Sequence, residues 1–169
     1  MIGLVVEVHV ATPSEAALAA GLQLRSSLGA YSHIFPPEAP TPTLERLHSL
    51  WESWLESAVL TAFVAEMASG PVGVVLAGAD PSEASLGHVA RMYVAPECWG
   101  QGIGRLLHGA AIDHLRAVGY DEATLWVLER NQRARSWYER LGWMPTGERK
   151  PVFQPAGIDE LRYRRALDR

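Results

Sequence analysis

The sequence predicts one mixed α/β domain. Two observations carry this reading. Runs of β-branched residues alternate with helical apolar spacings along the chain, and the turns between them are short and marked by Gly and Pro. No linker, internal repeat or low-complexity tract interrupts the 169 residues. That length suits a single core, and a chain 48% hydrophobic and 20% charged is too apolar to be disordered.

Taken in order, residues 4–10 are rich in Val and read as a first strand. Thr12-Pro13-Ser14-Glu15 has the form of a helix start, with Thr12 as N-cap, Pro13 in the first turn and Glu15 closing a capping box. Leu18, Leu22 and Leu28 give that helix an apolar stripe, and Gly29 reads as its end. Residues 31–42 hold four prolines and form a loop. Leu44, Leu47, Trp51, Trp54 and Leu55 then recur at three- and four-residue steps, an amphipathic helix.

Residues 60–67 and 72–79 are β-type runs joined by Ala68-Ser69-Gly70-Pro71, a hairpin signal. Residues 81–87 turn, and 87–94 form a further strand. From Ile103 the apolar positions Leu106, Leu107, Ala110 and Leu115 follow helical spacing up to Gly119. Residues 123–128 give a strand, 131–141 a helix stopped by Gly142, and 143–147 and 158–167 the last two strands.

Composition narrows the function classes. A formal net charge of -4 provides no global basic field for nucleic acid, and Arg162, Arg164, Arg165 and Arg169 read as a solvated last strand and tail. The single Cys98 excludes an internal disulfide and a cysteine-based zinc site within one chain. No stretch approaches the roughly 18 to 20 apolar residues of a membrane helix. The start Met1-Ile2-Gly3-Leu4-Val5-Val6 is short for a signal peptide and lacks a basic region, so the chain reads as cytoplasmic.

One segment carries chemistry by its place. Pro96-Glu97-Cys98-Trp99-Gly100-Gln101-Gly102-Ile103-Gly104 joins a strand to a helix. Helix N-termini present unpaired N–H groups and a partial positive charge, which together hold phosphate oxygens, and glycine lets a ligand approach the backbone closely. Arg105, a cation at the positive end of a helix dipole, is explained by a bound anion. The segment fails the P-loop pattern, which needs Lys then Ser or Thr where Arg105-Leu106 stands. It also fails the dinucleotide fingerprint, because Leu107 stands where the third glycine belongs.

A second segment, Asn131-Gln132-Arg133-Ala134-Arg135-Ser136-Trp137-Tyr138-Glu139-Arg140-Leu141-Gly142-Trp143, follows the strand ending near Leu128. Together the two segments resemble the GNAT superfamily of N-acetyltransferases. The later family signature, Asn-x-x-Ala-x-x-x-Tyr-x-x-x-Gly-aromatic, is matched at Asn131, Ala134, Tyr138, Gly142 and Trp143. The earlier one, Gln/Arg-x-x-Gly-x-Gly/Ala, is matched at Gly102 and Gly104 but has Trp99 in place of Gln or Arg. The resemblance is specific over about residues 87–147.

The resemblance implies a single-domain α/β (α+β) GNAT fold, its sheet mixed but mostly antiparallel, of six or seven strands flanked by about four helices. A splayed strand pair would hold the pantetheine of acetyl-CoA, the acyl donor, with no metal. It implies an acceptor-side wall at about 12–58 and a donor-binding core at about 87–147. Strand backbone at Met92, Tyr93 and Val94 would pair with the pantetheine. The pyrophosphate would rest on N–H groups at Gly100, Gln101, Gly102, Ile103, Gly104 and Arg105, and Asn131 would hydrogen-bond the pantetheine beside Ala134.

Direct transfer to an amine needs a neutral amine, a stabilised thioester oxygen and a proton for the thiolate. Tyr138 fits the last role, and a backbone N–H near Val94 the second. His88 and Glu66 are both candidates for the base, with water as a third. A covalent route through Cys98 lacks an activating neighbour. Tyr31, His33, Phe35, Trp51 and Trp54 fall where the acceptor wall would stand, though the two tryptophans also read as core. The acceptor stays open among polyamine, amino acid, antibiotic and protein N-terminus. No nucleic-acid or membrane partner is expected, and the protein would be a monomer or homodimer. A non-catalytic acetyl-CoA sensor and a carrier of longer acyl groups are the rival readings.

Overall fold

The computed structural model describes residues 5–168, so the expected start of the first strand at Leu4 and Arg169 of the basic cluster lie outside it. Seven strands form one sheet in the order β1-β2-β3-β4-β5-β7-β6. They are β1 (Glu7–Val10), β2 (Leu60–Met67), β3 (Gly70–Ala79), β4 (Gly87–Val94), β5 (Glu122–Leu128), β6 (Met144–Phe153) and β7 (Ile158–Ala166). Four α-helices flank them: α1 (Ala16–Tyr31), α2 (Leu44–Leu55), α3 (Ile103–Val118) and α4 (Gln132–Arg140). All neighbouring strands run antiparallel except β4 and β5. The mixed, mostly antiparallel sheet and four helices agree with the sequence expectation.

β3 is the centre of the molecule. Its residues from Val72 to Gly78 are all buried, so both faces are covered, unlike a strand of a one-sided sheet. α1 and α2 pack on each other, and Trp51 of α2 is wholly buried with its indole N–H donating to Gln23 Oε1 at 2.9 Å. α3 covers β3 with Ile103 and Leu107, whose side chains come so close to Gly73 that a Cβ there would lie 2.7 Å from Leu107. α4 lies beside α3, the Trp137 ring stacking edge-on to His108 at 5.7 Å.

The first helix starts as its sequence dictates. Thr12 and Glu15 close the capping box across a 3-10 turn at Pro13–Glu15. Its end differs from expectation, because α1 continues through Gly29 to Tyr31. Gly29 is there for room: a Cβ would lie 3.1 Å from Pro96 and 3.2 Å from Trp99, so the helix sits against the glycine-rich turn. β6 is also longer than the five residues expected. It runs on through Pro151, because β6 is an edge strand bonded, among the described residues, only to β7, where a missing N–H is tolerated.

Candidate active site

The site begins where β4 and β5 part. These parallel strands pair only at Gly87–Ala123 and His88–Thr124. Beyond that point β4 keeps β3 as its neighbour, through Met92–Val75, Tyr93–Val74 and Val94–Gly73, while among the described residues no strand pairs with its other edge. A bulge at Ala90 marks the change of direction, since Leu76 opposes Arg91 while Ala77 opposes Val89. A cavity of about 1400 Å³ runs through the opening, from the glycine-rich turn at one end to the loop after α1 at the other.

At the turn, Gly100 and Gly102 hold φ of 81° and 86°, conformations that bend the backbone so that successive N–H groups point one way. Among the described residues, the N–H groups of residues 100–104 have no hydrogen-bond partner. The first intrahelical bonds are those of Arg105 and Leu106 to the Gly102 carbonyl. Five free donors at a helix N-terminus form a cradle that fits a pyrophosphate. A Cβ at Gly100 or Gly102 would meet nothing within 4 Å, so the concavity is open. Gln101 turns its side chain away to the Glu97 carbonyl.

Trp99 is built into this cradle. Its indole N–H donates to the Val94 carbonyl at 2.8 Å, tying the end of β4 to the turn. The guanidinium of Arg133, on α4, lies 4.7 Å from the centre of the same ring. Arg133 lines the cavity, so a cation stands near the position where the family signature usually has Arg or Gln.

Asn131 caps α4, its side-chain oxygen accepting the Ala134 N–H at 3.2 Å. Its amide nitrogen keeps its donors for the cavity, which Asn131, Ala134 and Tyr138 all line. The Tyr138 hydroxyl has no protein partner among the described residues, while its ring is held edge-on between Trp137 and Trp143 at 5.0 and 6.1 Å. Burial raises its pKa well above that of free tyrosine, so the phenol is a protonated donor at neutral pH. Tyr31 and Tyr93 line the same cavity, and burial raises both.

His88 stands at the parting point. Its Nδ1 lies 2.8 Å from Thr124 Oγ1, and the Thr124 hydroxyl donates a very short bond to Asp80 Oδ2. With that proton committed to the carboxylate, the threonine oxygen accepts from Nδ1–H, which leaves the Nε2 lone pair of His88 available. Asp80 is clamped further by Arg162 at 2.9 Å and by Ser82. Burial works to raise the Asp80 pKa, but these donors outweigh it and hold the carboxyl far below its usual range. Burial pushes His88 down to about 4, against the opposing pull of Asp80, with Arg91, Lys150 and Arg162 adding to the fall. His88 is neutral at pH 7.

Of the residues expected at a site, Met92, Tyr93, Val94, Gly100, Gly102, Ile103, Gly104, Arg105, Asn131, Ala134, Tyr138 and His88 all line this cavity. Glu66 is not brought to it. It is exposed on β2, opposite Glu7 and Pro71, with β3 standing between it and β4. Of the residues expected at the acceptor wall, Tyr31, Phe35 and Trp54 line the cavity, whereas His33 lies outside it and Trp51 is core. Cys98 lines the cavity as a buried thiol.

Asp80, Arg91, Lys150 and Glu160 also line the cavity, and Thr124 supports His88, none of them standing in a sequence motif. Thr124 carries a signal, a polar residue inside the apolar run Ala123-Thr124-Leu125, whereas Asp80 falls between the expected strand 72–79 and the turn 81–87. Lys150 and Glu160 meet only because β6 and β7 pair them, at 3.2 Å.

The family model described as acetyltransferase (GNAT) matches residues 28–143, more than half of the chain, and the chain belongs to that family. A mycothiol acetyltransferase of Thermobispora bispora is 38% identical over 112 residues, covering 63% of this chain and 37% of that protein. This chain thus spans little more than a third of the length of that relative. The fold is shared with the PaiA N-acetyltransferase of Thermoplasma acidophilum, solved in complex with coenzyme A, at a TM-score of 0.76 and 16% identity over 96% of this chain and 99% of that one. It is shared too with the ribosomal-protein-S18-alanine N-acetyltransferase of Escherichia coli, at a TM-score of 0.73 and 16% identity over 98% and 96% of the two chains.

Proposed function

We propose that this chain is an acetyl-CoA-dependent N-acetyltransferase acting on a primary amine, with residues 12–58 as the acceptor wall and 87–147 as the donor-binding core. The observation that carries the reading is that the parting of β4 from β5 and the unpaired N–H groups of residues 100–104 belong to one cavity. A phosphorylated arm needs a cradle at one end and an open strand edge along its length, and both are present.

Acetyl-CoA supplies a thioester carbonyl open to attack. The N–H groups at residues 100–104 bind its pyrophosphate, assisted by Arg105 and Arg133. The free edge of β4 at Met92, Tyr93 and Val94 accepts the pantetheine amides as an added strand, and the Asn131 amide donates to the same arm. A backbone N–H near Val94 steadies the charge that grows on the thioester oxygen. As the C–N bond forms, the nitrogen becomes acidic, and His88 Nε2 takes its proton. A base with a pKa of about 4 is weak against a free ammonium, but it suffices for the far more acidic nitrogen created by attack. As the C–S bond breaks, Tyr138 gives its phenolic proton toward the sulfur.

The acceptor end is open space rather than packed side chains, which favours an enzyme over a sensor. The direct test is thiol release from acetyl-CoA in the presence of amines, amino acids and peptides. Turnover with at least one amine class is expected. Tight acetyl-CoA binding with no release across the panel would replace the enzyme with the sensor reading.

A further inference from the structure

The acceptor end of the cavity has an uneven charge balance. The described carboxylates that line it are Asp80 and Glu160. Asp80 is bound by Arg162 at 2.9 Å, and Glu160 by Lys150 at 3.2 Å. Lys150 also stands 4.3 Å from the centre of the Trp126 ring, so its charge is satisfied twice. Neither acid is left to receive a second cation. A pocket for a polyamine would need the reverse, unpaired carboxylates at amine spacing.

Arg91 is the counterpart to this. It follows the bulge at Ala90, lines the cavity, and has no carboxylate partner among the described residues. One of its nitrogens donates to the Ala90 carbonyl at 2.6 Å, and its guanidinium lies 5.2 Å from the centre of the Trp54 ring. The two anchors fix the plane of the group while leaving most of its five N–H donors unused. Arg91 stands on β4 three residues after His88, and both side chains line the same cavity.

Resting on the N-acetyltransferase reading, we infer that Arg91 is a specificity-determining residue that binds a carboxylate of the acceptor, and that the acceptor is an amino acid with an apolar side chain. One unpaired guanidinium matches one negative charge, in the planar two-oxygen geometry that a carboxylate presents. The apolar walls from Tyr31, Phe35 and Trp54 receive the side chain, and His88 stands on the same strand for the amine. A protein N-terminus carries no carboxylate beside its amine, and a polyamine carries none at all.

The test compares matched acceptors that differ only in the carboxylate: L-phenylalanine with 2-phenylethylamine, and L-leucine with 3-methylbutylamine, with spermidine as a third class. Thiol release from acetyl-CoA is measured for the wild type, Arg91→Met and Arg91→Lys. The wild type is expected to favour the amino acid over its matched amine by about 10- to 100-fold in kcat/KM. In Arg91→Met that ratio is expected to fall to about one, chiefly through KM for the amino acid, and Arg91→Lys to restore part of it. A wild-type ratio near one, a ratio unchanged in Arg91→Met, or a preference for spermidine overturns the assignment while leaving an N-acetyltransferase. No release with any acceptor, despite acetyl-CoA binding, overturns the enzyme reading and this inference with it.

Discussion

His88 and Tyr138 divide the proton traffic of the proposed reaction, and their surroundings make each fit for one half only. Burial keeps the phenol protonated, so Tyr138 can give a proton but holds no charge at rest. Burial keeps the imidazole neutral, and the hydrogen bond from Nδ1 to Thr124 leaves its Nε2 as the free nitrogen. Tyr138→Phe removes only the hydroxyl and keeps the ring between Trp137 and Trp143. It should lower kcat by about 100-fold with KM for acetyl-CoA within about twofold. His88→Gln should lower kcat comparably, and Thr124→Val by about tenfold, since the imidazole remains but its tautomer is no longer set. Steady-state kinetics at saturating acetyl-CoA decide it. An unaltered kcat in Tyr138→Phe removes the phenol from the mechanism, and an unaltered kcat in His88→Gln gives the base role to water.

Among the elements, the turn between β4 and α3 shows how a departure from a signature is absorbed. Trp99 does not donate a charge, but it holds the Val94 carbonyl and gives Arg133 a ring to lie on. Arg133→Ala should therefore raise KM for acetyl-CoA about fivefold in low salt, with kcat nearly unchanged. The difference should shrink at about 0.5 M salt, where an exposed charge pair is screened. Equal KM values for the two proteins in low salt would leave the backbone cradle alone with the pyrophosphate. The cradle itself was legible in the sequence, because glycines between a β run and a helical run have few other uses. The Arg133 contact was not, because it joins α4 to the turn before α3, two places far apart in the chain. Gly29 misled for a related reason. A glycine near the end of a helical stripe reads as a stop signal, and only the tertiary contact with Pro96 and Trp99 shows that it makes room. The length of β6 was hidden likewise, since prolines break a central strand but not an edge.

At the scale of the whole molecule, two buried histidines tie stability to pH. His88 sits at the site, and His108 lies on the buried face of α3, where its Nε2 accepts the Trp143 indole N–H at 3.0 Å. Burial lowers both from 6.5 to about 4, with Arg165, Arg105 and Arg116 adding to the fall at His108. Unfolded, each regains a pKa near 6.5 and takes up a proton that the native state refuses. Their depressed values therefore give stability that is fully present above about pH 6.5 and is lost as pH falls toward 4. Asp80 has the same direction but a lower window. With an unfolded pKa of 3.8, its contribution fades from about pH 5 downward, equally in every variant that keeps the Asp80 network. His108→Gln keeps an acceptor for the Trp143 indole and removes one titrating group. Between pH 6 and 4.5 the stability of the wild type should fall more steeply than that of His108→Gln by about one proton, or about 1.4 kcal/mol per pH unit. Urea unfolding at several pH values measures both slopes. Parallel curves would mean that His108 titrates alike in the folded and unfolded chain, and that its burial against Trp143 is not what excludes the proton.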